Sequence, residues 1–374
     1  MNVLFLTTHL NTGGITSYLL TLSKGLIQRG YSVYIASSGG NTENEFRALG
    51  VNLRTLDIHV KSELHPKLYF ALPGLRRYIR DEHIDLVHAH TRVTQVMAQW
   101  LQWMTKVAFV STCHGYFKTR LSRRLFPCWG DYVIAISEAV SNHLRDDFKI
   151  DPKKISLIES GIDLQDFSLI NDATRQQSRK QFGLTDEPAI GMIARLSDVK
   201  GPDILIQAMS QIIKVFPTAK LLIVGQGKME EALTRMIHEL HLENHVKMYP
   251  IVNRPAQVLP AFDVFCVPSR QEGLGLSVME AQAVGLPVVA SNVGGIPTLI
   301  RHDETGVLVP PENPDALARA IIAVLENHAF AQSLGVKARY FIEATHSADF
   351  MVEKIEGLYQ KATHCHSHES GNPQ

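Results

Sequence analysis

Residues Ser269–Gly295 read SRQEGLGLSVMEAQAVGLPVVASNVGG, and this stretch decides the architecture. An apolar run, Val264–Val267, precedes it; Gly273, Leu274 and Gly275 then form a glycine-rich loop, and a helical pattern begins there. A second apolar run, Pro287–Ala290, leads to the pair Gly294–Gly295. Strand, loop, helix and strand in that order make a parallel crossover. Strands that are apolar on both faces belong to parallel sheets with helices on each side.

Outward from this stretch the same alternation covers most of the chain. Strand signals in the first half are Val3–Thr7, Ser32–Ala36, Leu86–His88, Ala108–Thr112 and Tyr132–Ala135. In the second half they are Ala189–Ala194, Lys220–Val224, Val246–Met248, Val264–Val267, Pro287–Ala290 and Gly306–Val309. The pattern runs twice, which predicts an α/β protein of two Rossmann-like, doubly wound parallel sheets, and 374 residues suit two such domains. The expected domains are 1–165 and 166–345, with a linker near Ser160–Arg179 where apolar periodicity fades. A last helix, about 346–361, is expected to pack back on the first domain. Residues 362–374, ATHCHSHESGNPQ, lack an apolar face and are expected to be disordered. Ligands of open parallel sheets bind beyond the carboxyl ends of the strands, so a cleft between two facing domains is the expected site.

Charge and composition exclude several functions. Lys plus Arg and Asp plus Glu both number 37, so no global charge draws the chain to nucleic acid. Residues 1–165 carry 19 basic and 14 acidic side chains, so the first half leans positive and the second negative. Four scattered cysteines form no CxxC pair and suit a reducing cytosol. The start, MNVLFLTTHL, lacks the basic segment and long apolar run of a signal peptide, and no apolar stretch reaches membrane-spanning length. A cytoplasmic protein is expected, with any membrane contact peripheral.

The loop at Glu272 and the helix carrying Glu280 hold the chemistry. A carboxylate in such a loop accepts hydrogen bonds from vicinal sugar hydroxyls, and one on the helix can do the same for a ribose. The helix amino-terminus adds unpaired N–H groups. An ordinary helix with solvated acids is the bland alternative. Arg195 and Lys200, in ARLSDVKG, follow a strand where two cations can converge on a diphosphate. Gly225 and Gly227, in LIVGQGKMEEAL, open a helix after another strand, a weak signal alone.

EGLGLSVMEAQAVGLPVVASNVGG closely resembles the hallmark of glycosyltransferase family 4, the retaining group 1 transferases of GT-B fold, whose pattern is Glu, seven residues, Glu. The resemblance covers about residues 1–360. It implies that Glu272 contacts the donor sugar and Glu280 the ribose. By the same resemblance, Arg195 and Lys200 stabilise the leaving nucleoside diphosphate. Gly13 and Gly14, in HLNTGGITSY, match the family's glycine loop near the donor phosphates, though a plain turn also fits. His114, in STCHGYF, matches a histidine beside the sugar ring, with a structural histidine as the alternative. Departures are Ala194 for glycine, Thr298 for a frequent Glu, and Tyr249–Pro250–Ile251 where a glycine lies beside the base.

The implied reaction is transfer of a sugar from a UDP- or GDP-sugar to an acceptor hydroxyl, with the acceptor attacking the face that the diphosphate leaves. Cell-surface polysaccharide, lipopolysaccharide or glycolipid assembly is the implied setting. No GxSxG or DxD occurs, so neither a covalent nucleophile, a metal nor a resident cofactor is expected. A sugar-nucleotide epimerase, a phosphorylase or a non-catalytic nucleotide-sugar-binding subunit are the rivals. Between Asp85 and Asp131 no acid occurs, yet Lys118, Arg120, Arg123 and Arg124 do, with Trp100, Trp103 and Trp129. Cations with interfacial aromatics suit an anionic membrane or a lipid-linked acceptor; a helix pair with core tryptophans and solvated arginines is the other account.

Overall fold

The apolar runs become parallel strands in a computed structural model that describes residues 1–60 and 62–369, with the side chains of Leu121 and 365–369 left aside. The first sheet contains β1 (Asn2–Leu6), β2 (Ser32–Ser37), β3 (Asn52–Thr55), β4 (Leu86–Ala89), β5 (Ala108–Cys113), β6 (Tyr132–Ala135) and β7 (Ile155–Leu157). Its strand order is β3-β2-β1-β4-β5-β6-β7. The second contains β8 (Ala189–Ile193), β9 (Lys220–Val224), β10 (Val246–Tyr249), β11 (Val264–Val267), β12 (Val288–Ser291) and β13 (Val307–Val309), in the order β10-β9-β8-β11-β12-β13. Central strands are buried on both faces, Val3 to Leu6 and Val264 to Cys266 completely, which is why they read as unbroken apolar runs.

Each sheet reverses its winding once, between β1 and β4 and between β8 and β11. At such a switch point the flanking loops turn opposite ways and leave a crevice at the strand ends. The loops that leave β8 and β11 carry Arg195, Lys200 and Glu272; those leaving β1 and β4 carry Gly13, Gly14 and His90.

The chain forms two compact units, Met1–Gly161 with Ala348 onward, and Ile162–Ser347. In the first, the helix Gly14–Gln28 buries Leu19, Leu22 and Leu26, and the final helix, Ala348–Glu369, adds Val352, Ile355 and Tyr359 to the same core. Gly25 lets the two helices meet, because a Cβ there would overlap the Val352 side chain.

Three expectations need correction. β3 and β7 were not expected as strands. They lie at the two sheet edges, half exposed, so NLRT and ISL carry little apolar signal. The linker is shorter than expected, because Asp172–Gln181 is a helix opened by reciprocal Asn171–Thr174 capping. Its order comes from ion pairs: Arg175 and Arg179 both bind Asp263, and buried Arg179 also donates to the carbonyls of Thr185 at 2.8 Å and Glu187 at 2.6 Å. The tail expected to be disordered instead continues the last helix to Glu369, anchored by fully buried Ala362; residues 370–374 lie outside the described residues.

Candidate active site

In the second unit the strand ends of β8 and β11 bring together side chains 72 positions apart. Lys200 ends a single helical turn, Asp198–Lys200, and its Nζ donates to Glu272 Oε2 at 2.5 Å. Ser269 Oγ approaches the same oxygen at 3.3 Å. Both members of the pair are mostly covered, so the contact is worth more than a surface ion pair. Arg195 is exposed, and its guanidinium has no acceptor among the described residues. One cation is therefore already paired and the other is free for an anion.

The Glu272 loop is held rigidly from both sides. Arg270 grips the Asp203 carboxylate through both terminal nitrogens, at 2.9 and 2.6 Å, and donates through Nε to Glu312 at 3.0 Å. The backbone N–H of Gly295 donates to the Glu272 carbonyl at 3.2 Å. Gly294 has φ +56°, and a Cβ there would overlap that same carbonyl oxygen. Gly225 and Gly227 behave similarly: their missing Cβ atoms make room for the carbonyls of Ala194 and Leu196, on either side of Arg195. These two glycines, expected at the nucleotide, let the backbone on either side of the arginine pack closely. Ser269 and Arg270 were missed as site residues, although both stand in the motif just before Glu272.

Gly273 and Leu274 lead to Gly275, which caps the helix Leu276–Ala283 at φ 112°. Glu280 lies on that helix, buried, with no hydrogen bond or ion pair to any described residue. Burial pushes its carboxyl up to about 8. An acid left unpaired in a desolvated position is suited to hydroxyl groups that would satisfy it.

In the first unit, Gly13 precedes the helix Gly14–Gln28, and a Cβ on Gly14 or Gly115 would meet nothing. The fold itself does not require glycine at these two positions. His114 follows β5, with the edge of Tyr18 4.9 Å from its ring and His90 Nδ1 3.1 Å from its Nε2. Burial pushes His114 down to about 3, so its imidazole is neutral. His88, which is fully buried, binds Tyr359 Oη at 2.6 Å and Thr112 Oγ1 at 2.7 Å.

The basic stretch divides. Lys118, Arg120 and Arg124 are exposed, whereas Arg123 lies over the Phe117 ring at 4.4 Å and donates to the Lys118 carbonyl. Arg92 is buried, bound to Glu63 and to the carbonyls of Phe126 and Pro127. Trp129 is buried too, contrary to an interfacial role. Tyr69, Trp100, Trp103 and Phe126 form a continuous run of ring contacts, beside which Phe70 is 83% and Leu125 76% exposed. Among the described residues no helix is long and apolar enough to cross a membrane.

The model of Glycosyl transferases group 1 matches residues 174–341, and that of Glycosyltransferase Family 4 matches residues 12–166. The GDP-mannose-dependent monoacylated alpha-(1-6)-phosphatidylinositol monomannoside mannosyltransferase of Corynebacterium glutamicum is 32% identical over 370 residues, 93% of this chain and 94% of its own. The chain belongs to glycosyltransferase family 4. A D-inositol 3-phosphate glycosyltransferase of the same organism is 26% identical to this glycosyltransferase, over 85% of this chain and 84% of its own. Its fold is that of GT-B enzymes. Alr3699/HepE of Anabaena, solved with UDP-glucose, superposes with a TM-score of 0.86 at 22% identity, over 96% of this chain and 100% of that one.

Proposed function

We propose that this glycosyltransferase takes a sugar from a UDP- or GDP-sugar and passes it to an acceptor hydroxyl with retention of anomeric configuration. The observation that carries this reading is the Lys200–Glu272 pair beside unpaired Arg195 at one switch point. As the glycosidic bond breaks, charge grows on the leaving diphosphate. Arg195 and Lys200 are cations at the strand ends that meet that charge without a metal. Glu272, relieved of Lys200, accepts hydrogen bonds from the sugar hydroxyls, and Glu280 accepts them from the ribose. By resemblance, Gly13, Gly14 and His114 of the first unit take part in the same reaction, and the departing phosphate collects the acceptor's proton.

The acceptor reading is an anionic or lipid-linked molecule of cell-surface polysaccharide, lipopolysaccharide or glycolipid assembly. The names of the two relatives carry phosphatidylinositol and inositol phosphate, which supports an acceptor of this charge. Exposed Lys118, Arg120 and Arg124 beside Phe70, Trp103 and Leu125 support peripheral contact with an anionic membrane.

A panel of UDP- and GDP-sugars, scored by thermal stabilisation and by nucleoside diphosphate release with lipid acceptors, tests the reading. One donor should raise the melting temperature and release its nucleotide only when acceptor is present. Conversion of donor without acceptor would favour an epimerase instead, and no response to any donor would reject the transferase reading.

A further inference from the structure

The first unit contains buried histidines that the reaction above does not use. His88 has both ring nitrogens bound, to Tyr359 of the last helix and to Thr112 of β5. Its ring lies 4.1 Å from that of His90, tilted by 39°, and Phe5 meets His90 edge-on. His90 is thus fixed in its plane. Its Nδ1 faces His114 Nε2 at 3.1 Å, while its Nε2 is buried with no partner.

Burial holds all three rings in the neutral form, so the only freedom left to His114 is which nitrogen carries its proton. The contact between His90 and His114 holds a single proton, so the two rings share one choice. If His90 Nδ1 donates, His114 is protonated on Nδ1 and carries its N–H on the nitrogen not engaged by His90. If His114 Nε2 donates, its Nδ1 is a bare acceptor, and His90 is left with a buried N–H that has no acceptor. Either way His90 Nε2 lacks a partner, but among backbone groups orphaned N–H donors are rarer than orphaned acceptors, and the same asymmetry favours the first arrangement.

We propose that His90 is a positioning residue that fixes His114 as the Nδ1–H tautomer, so that His114 offers a hydrogen-bond donor to the substrate. The inference rests on the role given to His114 in the proposed reaction, but the tautomer itself is a property of the free protein and is measured without turnover.

The experiment compares wild type with His90→Phe and His90→Asn. Phenylalanine keeps an aromatic ring and removes the donor; the asparagine amide restores an N–H near the Nδ1 position. Imidazole 15N spectra of the intact chain, with the His114 signals assigned by their loss in His114→Gln, should show one tautomer in wild type, protonated at Nδ1. His90→Phe should show averaged nitrogens and transfer about tenfold slower at saturating donor, while its melting temperature changes little, since one unpaired nitrogen is removed as His114 Nε2 loses its partner. His90→Asn should recover most of both. An unchanged His114 spectrum in His90→Phe, or wild-type protonation at Nε2, overturns the proposal. If wild type transfers no sugar, the spectra still decide the tautomer, and the loss falls on the reaction instead.

Discussion

Lys200 Nζ and Glu272 Oε2 sit 2.5 Å apart, so the two charges assigned to diphosphate and sugar in the proposed reaction hold each other in the resting protein. In that proposal, donor binding exchanges this internal contact for a diphosphate on one side and sugar hydroxyls on the other. Removing either partner therefore has opposite effects on nucleotide and sugar. Lys200→Ala should weaken nucleoside diphosphate binding. Glu272→Ala should leave it intact or tighten it, because the lysine is freed. Both should cut transfer by about 100- to 1000-fold. Calorimetry with the nucleoside diphosphate alone separates them, and equal weakening in both variants would contradict the exchange.

Glu280 gives a stability test. Its folded pKa, about 8, lies above the ordinary 4.5, so the folded protein holds the proton more tightly than the unfolded chain. Stability is full below about 4.5 and is lost as pH rises toward 8. Glu280→Gln should match wild type at pH 4 and exceed it at pH 7 by as much as about 3 kcal/mol. Urea denaturation across that range checks it; a constant difference at all pH values would contradict a buried, protonated acid.

The glycines separate packing from function. Gly225→Ala forces a Cβ into the Ala194 carbonyl and should cost about 2–4 kcal/mol of stability. Gly14→Ala meets open space and should change stability by less than about 0.5 kcal/mol. If the Gly13–Gly14 loop serves substrate, the second variant should nonetheless lower kcat/KM. Thermal melts beside kinetics read both.

Two variant sets address the proposed membrane face. Flotation with anionic vesicles should carry wild type upward at low salt. It should leave Phe70→Ser with Trp103→Ser, and Lys118→Gln with Arg120→Gln and Arg124→Gln, largely in the soluble fraction. Zwitterionic vesicles should not bind wild type. Wild type that stays soluble with anionic vesicles would remove the membrane reading.

How far the sequence reveals this protein depends on where each interaction closes. The Glu272 loop was readable because its glycines, carboxylates and helix lie within one local stretch, and the doubly wound pattern was readable because central strands are apolar on both faces. β3 and β7 escaped, for an edge strand needs only half an apolar surface. The helix at Asp172 escaped because charged residues order it. Contacts between distant positions carry no local mark: nothing in LVHAHT announces that Tyr359 will bind His88, and nothing in DVKG announces that Lys200 will meet Glu272.

The last helix has a consequence for synthesis. Because Ile355, Leu358, Tyr359 and Ala362 complete the interior of a unit begun at Met1, the ribosome must release the whole intervening lobe before that interior can close. Until then the nascent amino-terminal sheet shows an oily groove where the helix will lie, and the hydroxyl destined for His88 has not yet been made. A chain stopped at Ser347 would keep Arg195, Lys200, Glu272 and Glu280 and lack the piece that seals the first unit.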